Sequence, residues 1–372
     1  MEHFFSLLRF SLSITDSFDE KLSDKEWLEI FKAAHSQALV GVIFCGVQKL
    51  KKELAPPFTL MMQWAAEAEK IHGLNKLFYA ESQRLTDLFT ANGRKSVILK
   101  GQANSRLYPD KFCRQPGDID IYVEGGKESV IYLIDKLGML PKDLPEGAFN
   151  AYHHVHLPEN EKGVSVEVHF RPSSGFYNSI YNNRLQNYLD ENLKDIIFTE
   201  EGFNVPDMKF ALLMQLAHLQ RHFLMEGVGL RQVTDYYFLL KKASKEDREY
   251  VSGLLSKLNI KRFTKALMWI LNKIFLLEKD FMLCEMSEKQ GKKVMEEIIV
   301  GGNFGWWSKT PNPTAWRRFY ERRRRSWKMF TFNPLEMWPH EMGYWKCFFK
   351  NMPKRIRYRT LSLETIKKDE NH

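Results

Sequence analysis

The stretch that decides the fold is residues 94–123, which read RKSVILKGQANSRLYPDKFCRQPGDIDIYV. Its first apolar run predicts a short strand, Gly101 a turn into a helical segment, and the run from Gly117 a second strand. In that strand Asp118 and Asp120 alternate with aliphatic residues, so a period of two places both carboxylates on one face. A divalent cation such as Mg²⁺ relieves their repulsion, because carboxylate oxygens are its ligands. The plain alternative is the polar outer face of an ordinary strand.

A third carboxylate comes from a predicted hairpin further along the chain. Residues 151–157 and 163–170 are alternating runs separated by the turn-forming sequence PENEK, which indicates an antiparallel pair. In the second arm Glu167 and His169 share the polar face, opposite the valines. If this arm lies beside the aspartate strand, three carboxylates converge on one site.

Length and composition indicate a globular protein of two or three modules, with 372 residues, 44% hydrophobic and 27% charged. Helical patterns on both sides of the strands predict an α+β fold, in which a small mixed β-sheet core is flanked by N-terminal and C-terminal helical regions. The helix nearest the core is predicted from Phe58 to Thr90. The predicted boundaries of the N-terminal helices, the α/β core, the second helical region and the basic C-terminal region are 1–92, 93–204, 205–302 and 303–372.

Four scattered cysteines predict reduced thiols, with neither a disulfide framework nor a zinc knuckle; they are Cys45, Cys113, Cys284 and Cys347. No apolar run is long enough to span a bilayer, and the N-terminus lacks the basic region and cleavage site of a signal peptide. These features together predict a cytoplasmic protein without a transmembrane segment.

The net charge of +9 belongs to the C-terminal region. Residues 303–372 hold 16 lysines and arginines against 6 acidic residues, and six of the nine tryptophans. The arginine run 322–325, flanked by Trp316, Phe319 and Trp327, has three interpretations. It is a solvated helix face with the aromatic rings in the core, a nucleic-acid site in which cations meet phosphates and rings stack on bases, or a peripheral membrane contact.

Several of these motifs resemble one known family. LKG at 99–101, LYP at 107–109, RQPGDIDIYV at 114–123 and VEVHF at 166–170 are similar to the uncharacterised bacterial nucleotidyltransferases, within the DNA polymerase β-type superfamily. Two helical motifs, HLQRH at 218–222 and GLRQVTD at 229–235, extend the resemblance to about residues 97–240. The superfamily usually has Gly-Gly or Gly-Ser at the turn, about a dozen residues before the first aspartate. Here the pair is Gly101-Gln102, and Asp118 follows Gly101 by 17 residues.

The resemblance implies a metal-dependent transfer of a nucleoside monophosphate from an NTP such as ATP to a hydroxyl-bearing acceptor, with release of pyrophosphate. Asp118, Asp120 and Glu167 would be catalytic and would hold two Mg²⁺ ions, with Mn²⁺ as the other candidate, and Glu167 would accept the proton of the attacking hydroxyl. The residues that would contact the nucleotide are Lys100, Gly101, Gln102, Arg114, Gly117 and Arg231.

Simpler roles exist for the charged members of that set. Arg114 would form a surface ion pair, Lys100 would lie at a solvated strand end, and Arg231 would pair with Asp235 one helical turn later.

The histidines invite a zinc interpretation, which the sequence disfavours. His154 and His156 alternate onto one face and make only two ligands, whereas catalytic zinc usually has three from the protein. His169 is better interpreted as a polar neighbour of Glu167. His218 and His222, four residues apart on a helix, are interpreted as core or ion-paired residues.

A second hypothesis belongs to another class of function. In it the protein is a non-catalytic module with a nucleotidyltransferase-like fold, which binds RNA or another anionic partner through its basic C-terminal region. For an active enzyme the acceptor stays open between tRNA, a protein and an antibiotic, and the oligomeric state also stays open.

Overall fold

The structure is a computed structural model that describes residues 1–140, 152–303 and 314–357. The helices are α1 (Glu2–Ser11), α2 (Asp24–Ser36), α3 (Val40–Val47), α4 (Phe58–Ala91), α5 (Gln102–Ser105), α6 (Lys127–Lys136), α7 (Ser179–Asn192), α8 (Met208–Met225), α9 (Leu230–Lys242), α10 (Lys245–Leu254), α11 (Lys261–Phe275), α12 (Glu288–Gly301), α13 (Ala315–Phe332), α14 (Pro334–Lys350) and α15 (Met352–Arg357). The strands are β1 (Ser96–Ile98), β2 (Ile119–Val123), β3 (His154–His156), β4 (Val166–His169), β5 (Ile196–Phe198) and β6 (Asn204–Pro206). The predicted α+β class is confirmed. Residue 151 of the predicted hairpin, and residues 304–313 and 358–372 of the C-terminal region, lie outside the described ranges.

Two apolar cores hold the helices and the sheet. The larger core contains the N-terminal helices together with α8, α9 and α11. Helices that precede the sheet in the chain and helices that follow it therefore share one core. The smaller core lies between the sheet and the helices α4 and α6, where Phe89, Ile121, Val168 and Ile134 are among its fully buried members. The 34-residue α4 follows the prediction closely and joins the two cores.

The main sheet has four strands in the order β1-β2-β4-β3. Strand β2 runs parallel to β4, while β1 and β3 are antiparallel to their neighbours. The predicted hairpin is therefore confirmed, and its second arm lies beside the aspartate strand. The ladder of β2 starts at Ile119, whose N–H donates to the Ser165 carbonyl, so Asp118 lies just before the strand and not within it as predicted.

The prediction of four reduced thiols is wrong for one pair. Cys45 on α3 and Cys113, 68 residues later, form a disulfide, whereas Cys284 and Cys347 are free. Helix α3 packs so closely on the loop before Asp118 that a Cβ at Gly41 would clash with the Cys113 carbonyl. Because 68 residues separate the two cysteines in the chain, no local sequence pattern predicts that they meet.

The C-terminal helices α13 and α14 pack against each other, and α13 also packs against α8. Several of their rings face outward: Trp316 and Trp327 are 70% and 73% exposed. Arg325 is instead buried, where it pairs with Glu297 at 2.9 Å and donates to the carbonyl of Met225 at 3.1 Å. The interpretation of a solvated arginine face with aromatic residues in the core is therefore wrong for these positions. Among the described residues, no helix combines the length and apolar content needed to cross a bilayer.

Candidate active site

The strand registers gather the candidate ligands on one face of the sheet. Asp120 lies opposite Glu167 across the parallel pair, and Glu167 lies opposite His156 across the antiparallel pair. Two positions along β4 from Glu167, His169 lies opposite His154. Because residues directly opposite, or two apart on one strand, share a face, all five side chains project to the same side.

Asp120 is the most buried of these acidic residues, with 1% of its surface exposed. Its Oδ1 accepts from Nε2 of His169 at 3.0 Å and from Nζ of Lys100 at 3.0 Å. Burial alone would raise the pKa of Asp120, but the Lys100 charge and the His169 hydrogen bond outweigh it and lower the pKa. Asp120 is therefore held as a carboxylate, and Lys100 is its ion-pair partner and not a solvated strand end.

Glu167 lies among imidazoles. Its carboxylate oxygens are 3.2 Å from Nδ1 of His156, 3.4 Å from Nε2 of His169 and 3.8 Å from Nδ1 of His154. Burial opposes ionisation of Glu167, yet the hydrogen bond from His169 helps to lower its pKa. His169 is thus the polar neighbour of Glu167 that the sequence predicted, and it also links Glu167 to Asp120.

Asp118 lines the same cavity but holds a different position. Ligand atoms of Asp120, Glu167 and His169 lie within 4.8 Å of one another, whereas no such three-residue group in the described part of the chain includes Asp118. The Asp118 charge nevertheless contributes to the raised pKa of Lys100 and opposes the lowered pKa of Glu167. The three carboxylates therefore share one electrostatic environment, with Asp120 and Glu167 the closer pair.

Gly101 makes the turn that brings Lys100 to the carboxylates. Its φ is +64°, which favours glycine, and a Cβ there would lie 3.4 Å from the Asp118 carbonyl oxygen. Both Lys100 and Gly101 line the cavity. Gln102 is fully buried at the start of α5 and is not part of that lining, so its contact with a nucleotide stays a prediction.

Arg114 forms a buried ion pair in place of the predicted surface pair. Its Nε and Nη2 each donate to one oxygen of Asp235 at 2.7 Å, the two-bond geometry typical of arginine and carboxylate. Tyr108 donates to the same carboxylate at 2.7 Å. Asp235 thus binds the loop before Asp118 to helix α9, and it is paired with Arg114 and not with Arg231.

Arg231 is a buried cation that faces the cavity. Its Nη1 donates to the carbonyls of Gln115 and Pro116 at 2.9 and 3.3 Å, and Gly117 leaves room for the guanidinium. Burial, together with the charge of Arg114, lowers the pKa of Arg231 to about 10. Among the described residues it forms no ion pair and its Nε has no hydrogen-bond partner, which leaves capacity to bind an anion.

These residues surround a cavity of about 410 Å³, a size typical of small-molecule sites. Asp118, Asp120 and Glu167 line it, as do five of the six predicted nucleotide-binding residues. Its far wall is helix α8. There His222 pairs with Glu226 at 2.8 Å, so its ion-paired interpretation is confirmed. His218 is half-buried and lines the cavity, so it is not a core residue.

Sequence reasoning missed the amide pair that fixes one end of the cavity. Asn104 and Gln215 exchange two hydrogen bonds at 2.7 and 2.8 Å across 111 residues of chain. Arg221, which donates to the carbonyl of Gly175 at 2.9 Å, was also missed. The resemblance of the 218–222 motif was the one signal that could have found Arg221, whereas no local pattern marks the amide pair.

Buried carboxylates and cations around one cavity, on a small mixed sheet, define an α+β protein suited to reactions at phosphate groups. A sequence profile of the family described as "Uncharacterised nucleotidyltransferase" matches residues 23–276, and the chain belongs to this family. The matched range includes the entire sheet and every cavity residue named above. A search of curated proteins finds no match.

Proposed function

We propose that this protein transfers a nucleoside monophosphate from an NTP to a hydroxyl-bearing acceptor and releases pyrophosphate, in a reaction that requires Mg²⁺. The observation that carries the proposal is the pairing of Asp120 with Glu167 across β2 and β4, at a cavity that also holds two cations, the half-buried Lys100 and the buried Arg231. The family description supports the class of reaction. The cytoplasm is the proposed location.

The residues fit a bound Mg²⁺. Oδ2 of Asp120 is buried and has no hydrogen-bond partner in the described part of the chain, an arrangement that a metal ligand would satisfy. Asp120 and Glu167, with Asp118 beside them, would hold one or two ions through carboxylate oxygens. When bound, the ions supply charge neutralisation at the attacking and leaving oxygens.

The protein's own groups would then bind and orient the substrates. Arg231 keeps its charge at neutral pH because its pKa is still about 10, and its outward donors suit phosphate oxygens. Lys100 adds a second cation close to the carboxylates. Glu167, held ionised by its neighbours, is the proposed acceptor for the proton of the attacking hydroxyl.

Position-labelled NTPs, with ATP first, test this proposal. Purified protein is incubated with Mg²⁺, a cell extract and either α-³²P or γ-³²P label, and we expect only the α label to reach an acceptor. Asp120→Asn should slow transfer by about 10³-fold, since metal ligation contributes several kcal/mol to the transition state. Asp135→Asn, on the exposed surface of α6, is the matched control.

Two results would contradict the proposal. Transfer of the γ label would indicate a phosphoryl transferase. Equal rates for Asp120→Asn and the unaltered protein would remove the carboxylate site from the reaction.

A second function is supported by the surface of α13. Trp316, Tyr320 and Trp327 are exposed there together with Arg318 and Arg324, the combination used to bind single-stranded nucleic acid. In this case RNA binding weakens steeply with salt and survives Asp120→Asn. Removing Arg318 and Arg324 should reduce the slope of log K against log salt by about 1–2. An unchanged slope would exclude this surface.

A further inference from the structure

The free edge of the main sheet carries an unusual set of side chains. Strand β3 has only three residues, and two of them are histidines that face the cavity side. With His153 and His169, four of the eleven histidines in the chain lie in ring contact with one another. The sequence offered two ligands at most, whereas the register adds Glu167 as a third from the neighbouring strand.

The nitrogen atoms of this cluster point at each other and at Glu167. Nε2 of His154 lies 2.9 Å from Nε2 of His156, and Nδ1 of His156 lies 3.2 Å from the Glu167 carboxylate. One ligand atom from each of these three residues lies within 4.8 Å of the other two, close enough for all three to bind the same ion. His154 and Glu167 are half-buried, and His156 is exposed, so an ion can reach the site from solvent.

Hydrogen bonds among the rings leave part of this polar surface unsatisfied. Nδ1 of His169 and Oδ2 of Asp120 are buried without a hydrogen-bond partner within the described ranges, and both residues line the cavity next to the cluster. Buried polar atoms without partners are rare in native proteins and often indicate a missing ion or water. Oδ2 of Asp120 belongs to the magnesium site proposed above, so Nδ1 of His169, a member of the histidine cluster, is the unpartnered atom that bears on this edge of the sheet.

We propose that His154, His156 and Glu167 bind one divalent transition-metal ion of the Zn²⁺ type at the edge of the sheet. Two imidazoles and one carboxylate are a donor set that such ions prefer, whereas Mg²⁺ favours oxygen ligands and retains its water. The two metals would share Glu167: the transition-metal ion would bind on its β3 side, and Mg²⁺ would be held with Asp118 and Asp120. The proposal deepens the proposed function by adding a second kind of metal to its site, but its binding test uses no nucleotide.

The test is a metal titration of the full chain after treatment with a chelator. Zn²⁺ is titrated against a chromophoric chelator, and Co²⁺ serves as the spectroscopic probe because its absorption reports the ligand geometry. We expect one tight equivalent, which a large excess of Mg²⁺ does not displace. His156→Gln and His154→Gln should each weaken Zn²⁺ binding at least tenfold, and the double variant should lose the equivalent.

Two variants serve as controls. His35→Gln removes a histidine on α2 that pairs with Glu67 and belongs to no candidate metal group of the described residues, and this variant should bind Zn²⁺ as the unaltered protein does. Asp118→Asn should keep Zn²⁺ binding while it weakens Mg²⁺-dependent NTP binding. Circular dichroism establishes that each variant is folded, and the exposure of His156 makes that replacement the safest one.

Two outcomes overturn the proposal: unchanged Zn²⁺ affinity in the double variant, or displacement of Zn²⁺ by a similar concentration of Mg²⁺. The two proposals fail separately. Nucleotidyl transfer without a tight Zn²⁺ equivalent rejects the histidine site alone, whereas a tight Zn²⁺ equivalent without transfer of the α label rejects the enzymatic proposal alone.

Discussion

The cavity beside the sheet and the C-terminal pair α13–α14 place charge and aromatic surface in opposite ways. At the cavity, Asp120 and Arg114 are buried and each has an opposite charge within 3.0 Å. On the outer face of the C-terminal helices, large rings such as Trp327 face solvent, and charge pairs such as Arg317 with Glu321 lie at the surface. Buried charge demands a fixed partner, so the cavity is electrostatically organised, whereas the outer face of α13–α14 is a surface suited to contact with another molecule.

The largest expected effect is on the free energy of unfolding, when a buried ion pair is compared with an exposed one. Asp235→Ala leaves the guanidinium of Arg114 buried without a carboxylate and should lower the free energy of unfolding by about 3–5 kcal/mol. Glu321→Ala removes the same chemistry from an exposed pair and should cost less than about 1 kcal/mol. Chemical denaturation of both variants measures the difference.

A further variant separates pairing from packing. Replacing both partners, as Arg114→Met with Asp235→Leu, should recover most of the stability, because it leaves no unpaired charge. Equal losses in Asp235→Ala and Glu321→Ala would show that the two regions do not differ in this way.

Local pattern was sufficient for the strands and for their polar faces. The alternation around Asp120 and Glu167 predicted which side chains share a face, and the hairpin signal predicted the neighbour of β4. It could not show that Arg114 meets Asp235, because 121 residues separate them. The same limit hid the disulfide between Cys45 and Cys113, which are 68 residues apart.

The C-terminal region shows a different limit. An amphipathic pattern shows which residues of a helix share a face, but it does not show which face is buried when both carry rings and cations. Arg325 can be buried because Glu297 on α12 and the backbone carbonyl of Met225 on α8 accept hydrogen bonds from its guanidinium. Only the packing of distant helices decides this, and the sequence pattern therefore favoured the wrong face for the aromatic residues.

The second prediction concerns Glu336, the acidic group that attaches α14 to the segment before α7. It is buried, and its Oε2 accepts from the N–H of Tyr177 at 2.8 Å. Burial raises the pKa of Glu336 from its ordinary 4.5 to about 7. The folded protein thus holds this proton more tightly than the unfolded chain. The resulting stabilisation is fully present below pH 4.5 and is lost as the pH rises through about 7.

Glu336→Gln keeps an acceptor for Tyr177 and removes the charge. It should therefore exceed the unaltered protein in stability by about 3 kcal/mol at pH 8, with the difference below about 1 kcal/mol at pH 5 and almost gone at pH 4. Denaturant unfolding across this pH range measures the effect, and Glu321→Gln at the surface of α13 is the control. If the stabilities of Glu336→Gln and the unaltered protein change in parallel with pH, then folding does not raise the pKa of Glu336 and the prediction is wrong.

The smallest expected effect is at the outer face of α14 and α13. Trp327 lines an apolar groove with Phe330, Trp338 and Trp345, yet 73% of its surface is exposed. Trp327→Ala should therefore change the free energy of unfolding by no more than about 0.5 kcal/mol. Trp64, fully buried with its indole N–H on the Val40 carbonyl at 3.0 Å, is the matched aromatic, and Trp64→Ala should cost about 3–5 kcal/mol.

A loss of more than about 2 kcal/mol in Trp327→Ala would break the comparison in an informative way, because a ring that contributes this much cannot be in water. The protein in solution would then cover the groove. Sedimentation at several concentrations identifies the cover, since a second copy of the chain makes the loss depend on concentration and a segment of the same chain does not. A small loss at every concentration would mean that the ring is exposed in the isolated protein, and the groove would then be a surface for a separate partner.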